Sequence, residues 1–100
     1  MIAFRGNING TVASPPTMNQ QLPFVINNFT LVNMTGGAVT ANVYLIKNTR
    51  SVCITPIAYS ISANGIYTDD LPRLLEKGEQ IRLATTGETS YDFNLSNIEP

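Results

Sequence analysis

The chain has 100 residues, 43% of them apolar and 13% charged, with one cysteine, no histidine and no tryptophan. That length suits one domain around one core, and the lone Cys53 excludes an intrachain disulfide framework. No apolar run approaches the ~20 residues that cross a bilayer as a helix, the opening Met1-Ile2-Ala3-Phe4-Arg5 lacks the apolar stretch of a secretory signal, and a net charge of −1 gives no general pull on polyanions.

Residues 1–23 read as an extended arm. Gly6, Gly10, Pro15, Pro16 and Pro23 interrupt them, and Pro15-Pro16 forbids ladder donation while favouring an extended path. Short strands fit residues 2–4 and 11–13, but the stretch is expected to lie along the domain or reach a neighbour rather than build the core. From Phe24 the composition changes to strand formers. Phe29, Leu31 and Asn33 fall on one face and Thr30, Val32 and Met34 on the other. Thr35-Gly36-Gly37 is a turn signal, and Val39, Ala41, Val43 and Leu45 then alternate with Thr40, Asn42 and Tyr44. That period of two is the securest strand signal in the chain.

Residues 47–50 connect to a strand over 51–55, which Pro56 ends or confines to an edge. Ile57, Tyr59 and Ile61 alternate next, and Asn64-Gly65 predicts a hairpin into an extended run from Ile66. Residues 70–78 fit either a two-turn helix capped by Asp70 or, preferably, a short strand at 73–75 followed by a tight corner at 76–79. Residues 80–85 place Ile81 and Leu83 inward, residues 86–89 turn, and Tyr91, Phe93 and Leu95 alternate in a closing strand. Short strands at roughly ten-residue spacing predict an all-β chain. The expectation is a small antiparallel β-sandwich, Ig-like or jelly-roll-like, of about seven to eight strands over 24–100, preceded by the extended N-terminal arm.

Charge is divided along the chain, +3 over residues 1–68 and −4 over 69–100. Interleaving strands would erase the division; otherwise it would give a bipolar surface able to dock copies head to tail. Asn and Thr, 11 of each, supply the polarity that charged residues do not, which suits half-buried strands and their turns.

Catalytic chemistry has few residues to use. Without histidine the usual general base, zinc ligand and triad member are missing. Asp69-Asp70 is the densest acidic site and reads as a solvated loop, because the spaced acidic pattern of a calcium loop is missing. Cys53 reads as a buried structural thiol. Four Asn-x-Ser/Thr triplets are the chance yield of so much Asn and Thr. Tyr44, Tyr59, Tyr67 and Tyr91 could form a stacking platform, although tyrosines on alternating strands are more often core-rim residues. No enzyme activity, cofactor or metal is expected, and neither a nucleic-acid nor a membrane partner.

Three ordered runs resemble small virion proteins of tailed bacteriophages. These are residues 29–45, with Val39-Thr40-Ala41-Asn42-Val43-Tyr44-Leu45 after a Thr/Gly turn; residues 74–83, with Leu75-Glu76-Lys77-Gly78-Glu79-Gln80-Ile81; and the closing residues 91–99. Ala3-Phe4-Arg5-Gly6 is similar to their start. The resemblance implies a non-enzymatic β-sandwich of the particle, made in the host cytoplasm and present in many copies. It fits a capsid cement or decoration protein that binds the major capsid protein or other virion proteins, or a head-tail or tail accessory. The competing expectation is an Ig-like module that binds host-surface glycan through Tyr44, Tyr59 or Tyr67. For a cement protein the expected contacts are Arg5, Pro15, Pro16 and Leu22 in the arm and Asp69, Asp70 and Leu71 in the loop. Removing residues 1–20 would then leave a folded domain that no longer joins its particle.

Overall fold

A computed structural model describes residues 2–13, 23–55 and 59–97. Every strand pairing in it is antiparallel, and the described residues contain no helix. The ten strands are β1 (Ile2–Ile8), β2 (Thr11–Ala13), β3 (Phe24–Asn33), β4 (Val39–Lys47), β5 (Arg50–Cys53), β6 (Ser60–Ile61), β7 (Ile66–Asp69), β8 (Arg73–Leu75), β9 (Gln80–Thr85) and β10 (Thr89–Asn97). Eight of them, β3 to β10, fall within residues 24–100, as expected; the other two, β1 and β2, come from the expected arm.

Two five-stranded sheets face each other. One runs β1-β10-β3-β7, with β8 also on β3; the other runs β2-β9-β4-β5, with β6 also on β4. Four pairings, β1 with β10, β2 with β9, β3 with β7 and β4 with β5, describe a long ribbon folded at the β4–β5 turn. Wrapping that ribbon adds the β10–β3 and β9–β4 pairs that complete each sheet. This is the strand order of a jelly roll, so the jelly-roll alternative holds and the Ig-like one does not.

The wrapping corrects two expectations. Residues 2–13, part of the expected arm, are laid into the sandwich: β1 pairs with β10 from Ile2↔Leu95 to Ile8↔Thr89, and β2 pairs with β9. Phe4 packs on Tyr91 and Phe93 with ring centroids 4.9 and 5.7 Å apart. Removing residues 1–20 would therefore strip a strand from each sheet and uncover core rings, instead of leaving an intact domain. Residues 14–22 of the arm, including Pro15, Pro16 and Leu22, lie outside the described residues. Asn64-Gly65, for its part, does not close a hairpin. Gly65 N–H donates to Ser62 O at 2.8 Å and Asn64 takes φ +56°, but β6 belongs to one sheet and β7 to the other. The turn changes sheets.

The preferred reading of residues 70–78 as strand and corner is what the chain adopts. The Glu76–Glu79 corner closes with Glu79 N–H on Glu76 O at 2.9 Å, and Gly78 takes the φ of +83° that the third turn position requires. The true hairpin is β4–β5, whose two-residue loop starts at Asn48 with φ +56°.

A bulge explains why β3 does not alternate strictly. Phe24 and Ile26 point inward, and so do Phe29, Leu31 and Asn33, although the two sets differ in parity. The register with β10 shifts between Asn94 and Leu95, opposite Asn28 and Ile26, so Asn27 is the extra residue that restores the inward face. One sheet lends the core rings, with Phe29 and Phe93 stacked at 5.0 Å and 19°. The other lends aliphatics, among them Val43, Ile81 and Leu83, all fully buried. Truncating either central ring would cost on the order of 3–5 kcal/mol.

Candidate functional site

β7 and β8 follow one another along the same edge of β3, β7 over residues 29–32 and β8 over residues 24–26. Alternation turns Tyr67, Asp69, Arg73 and Leu75 toward the core side and leaves Ile66, Thr68 and Leu74 facing out. The link between the two strands is rigid. Asp69 Oδ1 accepts the Leu71 N–H at 3.0 Å, an Asx turn, and the carboxylate receives both arms of the Arg73 guanidinium at 2.9 and 3.0 Å. Tyr67 donates its hydroxyl to Asp69 Oδ2 at 3.4 Å, and Arg73 lies 5.9 Å from the centroid of the Phe29 ring.

This pairing sets the charges. The Arg73 hydrogen bonds hold the Asp69 carboxyl below its ordinary value, more than offsetting the cost of burial. Burial first, and the Asp69 charge second, push the Tyr67 hydroxyl up. With both carboxylate oxygens taken by the guanidinium, the turn amide and the tyrosine, Asp69 serves to hold the loop. Only Asp70 and Leu71 of the three expected loop contacts face solvent, and Leu71 is 66% exposed.

Sequence reasoning picked out Asp70 and Leu71 but missed their companions, Ile66 at 66% exposed and Leu74 at 53%. Both alternate with inward residues, which the sequence displays. What it does not display is that their strands form an edge. Edges are normally blunted by shortness, Lys, Pro or inward charge. Here β7 and β8 are short, Pro72 lies between them and Asp69 and Arg73 point inward, but the described residues 66–75 contain no lysine and leave Ile66, Leu71 and Leu74 exposed.

Arg5, the remaining expected contact, sits on β1 at the opposite edge, largely exposed, with Nε 3.3 Å from Asp92 Oδ1. That ion pair is one of several joining the basic and acidic parts of the chain. Lys47 lies 3.7 Å from Glu76, and Arg50 reaches Glu76 at 2.9 Å and Glu79 at 3.3 Å. Folding thus interleaves the two charge populations. The bipolar surface required for head-to-tail docking is not assembled among the described residues, where Lys77, Arg82, Asp70 and Glu88 alone carry charge outside an ion pair. Lys47, Asn48, Thr49, Arg50 and Glu76 line an open cleft of about 280 Å³, in which both cations are already neutralised by carboxylate.

The tyrosines do not form one surface. Tyr59 and Tyr67 pack on each other at 4.6 Å and on the core through Phe29, Tyr91 is buried, and Tyr44 lies on the outer face of the other sheet. Cys53 is half-buried rather than buried, with Sγ 3.1 Å from Thr55 O. Among the described residues no three His, Cys, Asp or Glu side chains gather as metal ligands. No protein-family model matches the chain, and no curated protein is significantly similar to it.

Proposed function

We propose that the chain is a structural component of a bacteriophage particle, a cement or decoration protein that binds neighbouring shell subunits through the β7–β8 edge. The single observation that carries this reading is the edge itself. It is a strand pair with no further strand beside it among the described residues, three exposed apolar side chains strung along it, and an Asp69–Arg73 clip that fixes its shape before contact. A preformed edge loses less entropy on binding than one that must be ordered, and apolar side chains exposed side by side along it favour a partner that covers them.

The rest of the molecule supports the same reading. The outer face of the β1-β10-β3 sheet carries the neutral hydrogen bonds Asn94 to Asn28 and Asn27 to Ser96, both at 2.7 Å, beside the Arg5–Asp92 ion pair, and this largely neutral polarity suits a surface lying among copies and neighbours. Jelly rolls serve in viral capsids and also in lectins, so the fold by itself does not choose between them. The edge favours the former, and no comparable arrangement gathers the tyrosines for sugar stacking.

The test is made on virions of the phage that encodes the chain. The wild-type protein is expected in many copies per particle, with shells lacking it more heat-labile. A Leu71→Lys/Leu74→Lys variant with unchanged circular dichroism is expected to be absent. Absence of the wild type from purified virions would overturn the proposal, and its confinement to tails would replace the cement role with an accessory one.

A further inference from the structure

The sequence contains two Asn-Gly pairs, Asn9-Gly10 and Asn64-Gly65, both with an exposed asparagine and both at sheet-changing turns. Asn-Gly is the dipeptide most prone to spontaneous deamidation, because no side chain on the glycine hinders its amide nitrogen from reaching the asparagine carboxamide. Structure decides whether that nitrogen is free to move.

At Asn64-Gly65 it is not. Gly65 N–H closes the turn onto Ser62 O at 2.8 Å, Gly65 O accepts the Asn33 N–H at 2.9 Å, and Asn64 N–H donates to Thr35 O at 3.2 Å. The unit is bonded on both sides of the reactive peptide, and the space around Gly65 is filled: a Cβ there would lie 2.8 Å from Ser62 Oγ. At Asn9-Gly10 the corresponding N–H donates to Thr85 Oγ1 across 3.4 Å, a longer and weaker bond than the 2.8 Å one that closes the Asn64-Gly65 turn. The one strong bond, Thr85 N–H to Gly10 O at 2.7 Å, is on the next peptide group. A Cβ built on Gly10 meets nothing within 4 Å; the side chains of Asn9 and Asn64 alike have no hydrogen-bond partner among the described residues, so the difference lies in the glycine amide and the space around it.

The geometry points to Asn9 as a site of non-enzymatic covalent modification, with the fold directing deamidation there and shielding Asn64. Gly10 N, having lost its proton, attacks Asn9 Cγ. The new N–C bond forms a succinimide, the bond from Cγ to the side-chain nitrogen breaks, and ammonia leaves with the proton. Water then opens the ring to aspartate or isoaspartate without any change of oxidation state. The product carries a new negative charge at the β1–β2 turn, and in the isoaspartyl form an added methylene in the main chain between two strands of different sheets.

Incubating the folded full-length chain in mildly alkaline buffer and mapping tryptic peptides by mass spectrometry separates the two sites, since Asn9 lies between Arg5 and Lys47 and Asn64 between Arg50 and Arg73. Conversion at Asn9 is expected to run about tenfold faster than at Asn64, the protection given by a turn-closing hydrogen bond in a packed loop. Urea should bring the two rates together, and Asn9→Ser should abolish the signal in its peptide. Equal rates in the folded chain, a faster Asn64, or an Asn9 that stays intact when folded but converts in urea would each overturn the assignment.

Discussion

At the end where β3 passes to β4, buried neutral groups hold the sandwich together; at the opposite end, beside the β4–β5 hairpin, half-exposed charges do. The neutral end centres on Asn33, which is 1% exposed. Its Nδ2 donates toward the carbonyls of Gly37, Ile61 and Ser62 at 2.7–3.0 Å, and its Oδ1 accepts from the Thr35 amide and hydroxyl, both at 2.8 Å. Thr89, fully buried, donates to Gly87 O, and Met34 N–H and Thr86 N–H bond across to Glu88 O and Thr40 O. The other end has Arg50 and Lys47 on Glu76, with Glu79 tucked beneath and capping the Glu76 amide at 2.9 Å.

The difference follows from what each end must do. Two sheet-changing connections, β3–β4 and β6–β7, meet at Asn33 and bring the carbonyls of Gly37, Ile61 and Ser62 within its reach, so a buried amide able both to donate and to accept is the economical solution. The hairpin end needs only to close a turn and a corner, where water can complete what the side chains leave.

Breaking the neutral end should therefore have the largest effect. Asn33→Ala is expected to lower unfolding free energy by about 3 kcal/mol, because it removes the donor to the buried Ile61 carbonyl, the acceptor of the Thr35 amide and hydroxyl, and a fully buried side chain. That corresponds to a fall in Tm on the order of 15 °C for a domain of this size, read by calorimetry. Asn33→Asp should be no milder, since it keeps the acceptor for Thr35 but sets an anion against three carbonyl oxygens.

Between the ends, the Asp69–Arg73 clip should be sensed by acid. The folded-state carboxyl titrates below its ordinary 3.8, so its stabilisation is complete above that value and fades as pH falls through the lower, folded one. Asp69→Asn should cost about 2 kcal/mol at neutral pH. It should also flatten this part of the stability–pH curve, measured by urea unfolding across the acid range.

The smallest effect belongs to the charged end. Arg50→Ala should cost less than about 1 kcal/mol, shrinking further in high salt, whereas the Asn33→Ala penalty should be indifferent to salt. A salt-sensitive Asn33 effect, or an Arg50 effect as large as it, would erase the distinction.

Much of this architecture was legible in residue spacing. The alternations in residues 39–45, 80–85 and 91–95 are β4, β9 and β10 with the correct faces inward. Asn33 itself was placed on the apolar face with Phe29 and Leu31, and a polar residue on such a face is the visible mark of a buried amide hub. Its partners were not visible, because Ile61 and Ser62 lie some thirty residues away and only the wrapped ribbon brings them close. The Asn27 bulge hid Phe24 and Ile26 from a strict parity count. The edge position of β7 and β8 was hidden for a similar reason: strand order within a sheet is a long-range property, and Ile66 and Leu74 show the same pattern whether the edge beside them is open or paired.

The most direct test of the proposed edge compares amide hydrogen exchange of the free chain with that of the chain bound to its shell. Slowed exchange is expected to concentrate in residues 66–75, with the Asn33 end already protected in the free protein and unchanged on binding. Protection confined to other surfaces, with residues 66–75 exchanging as fast in the particle as in solution, would contradict it.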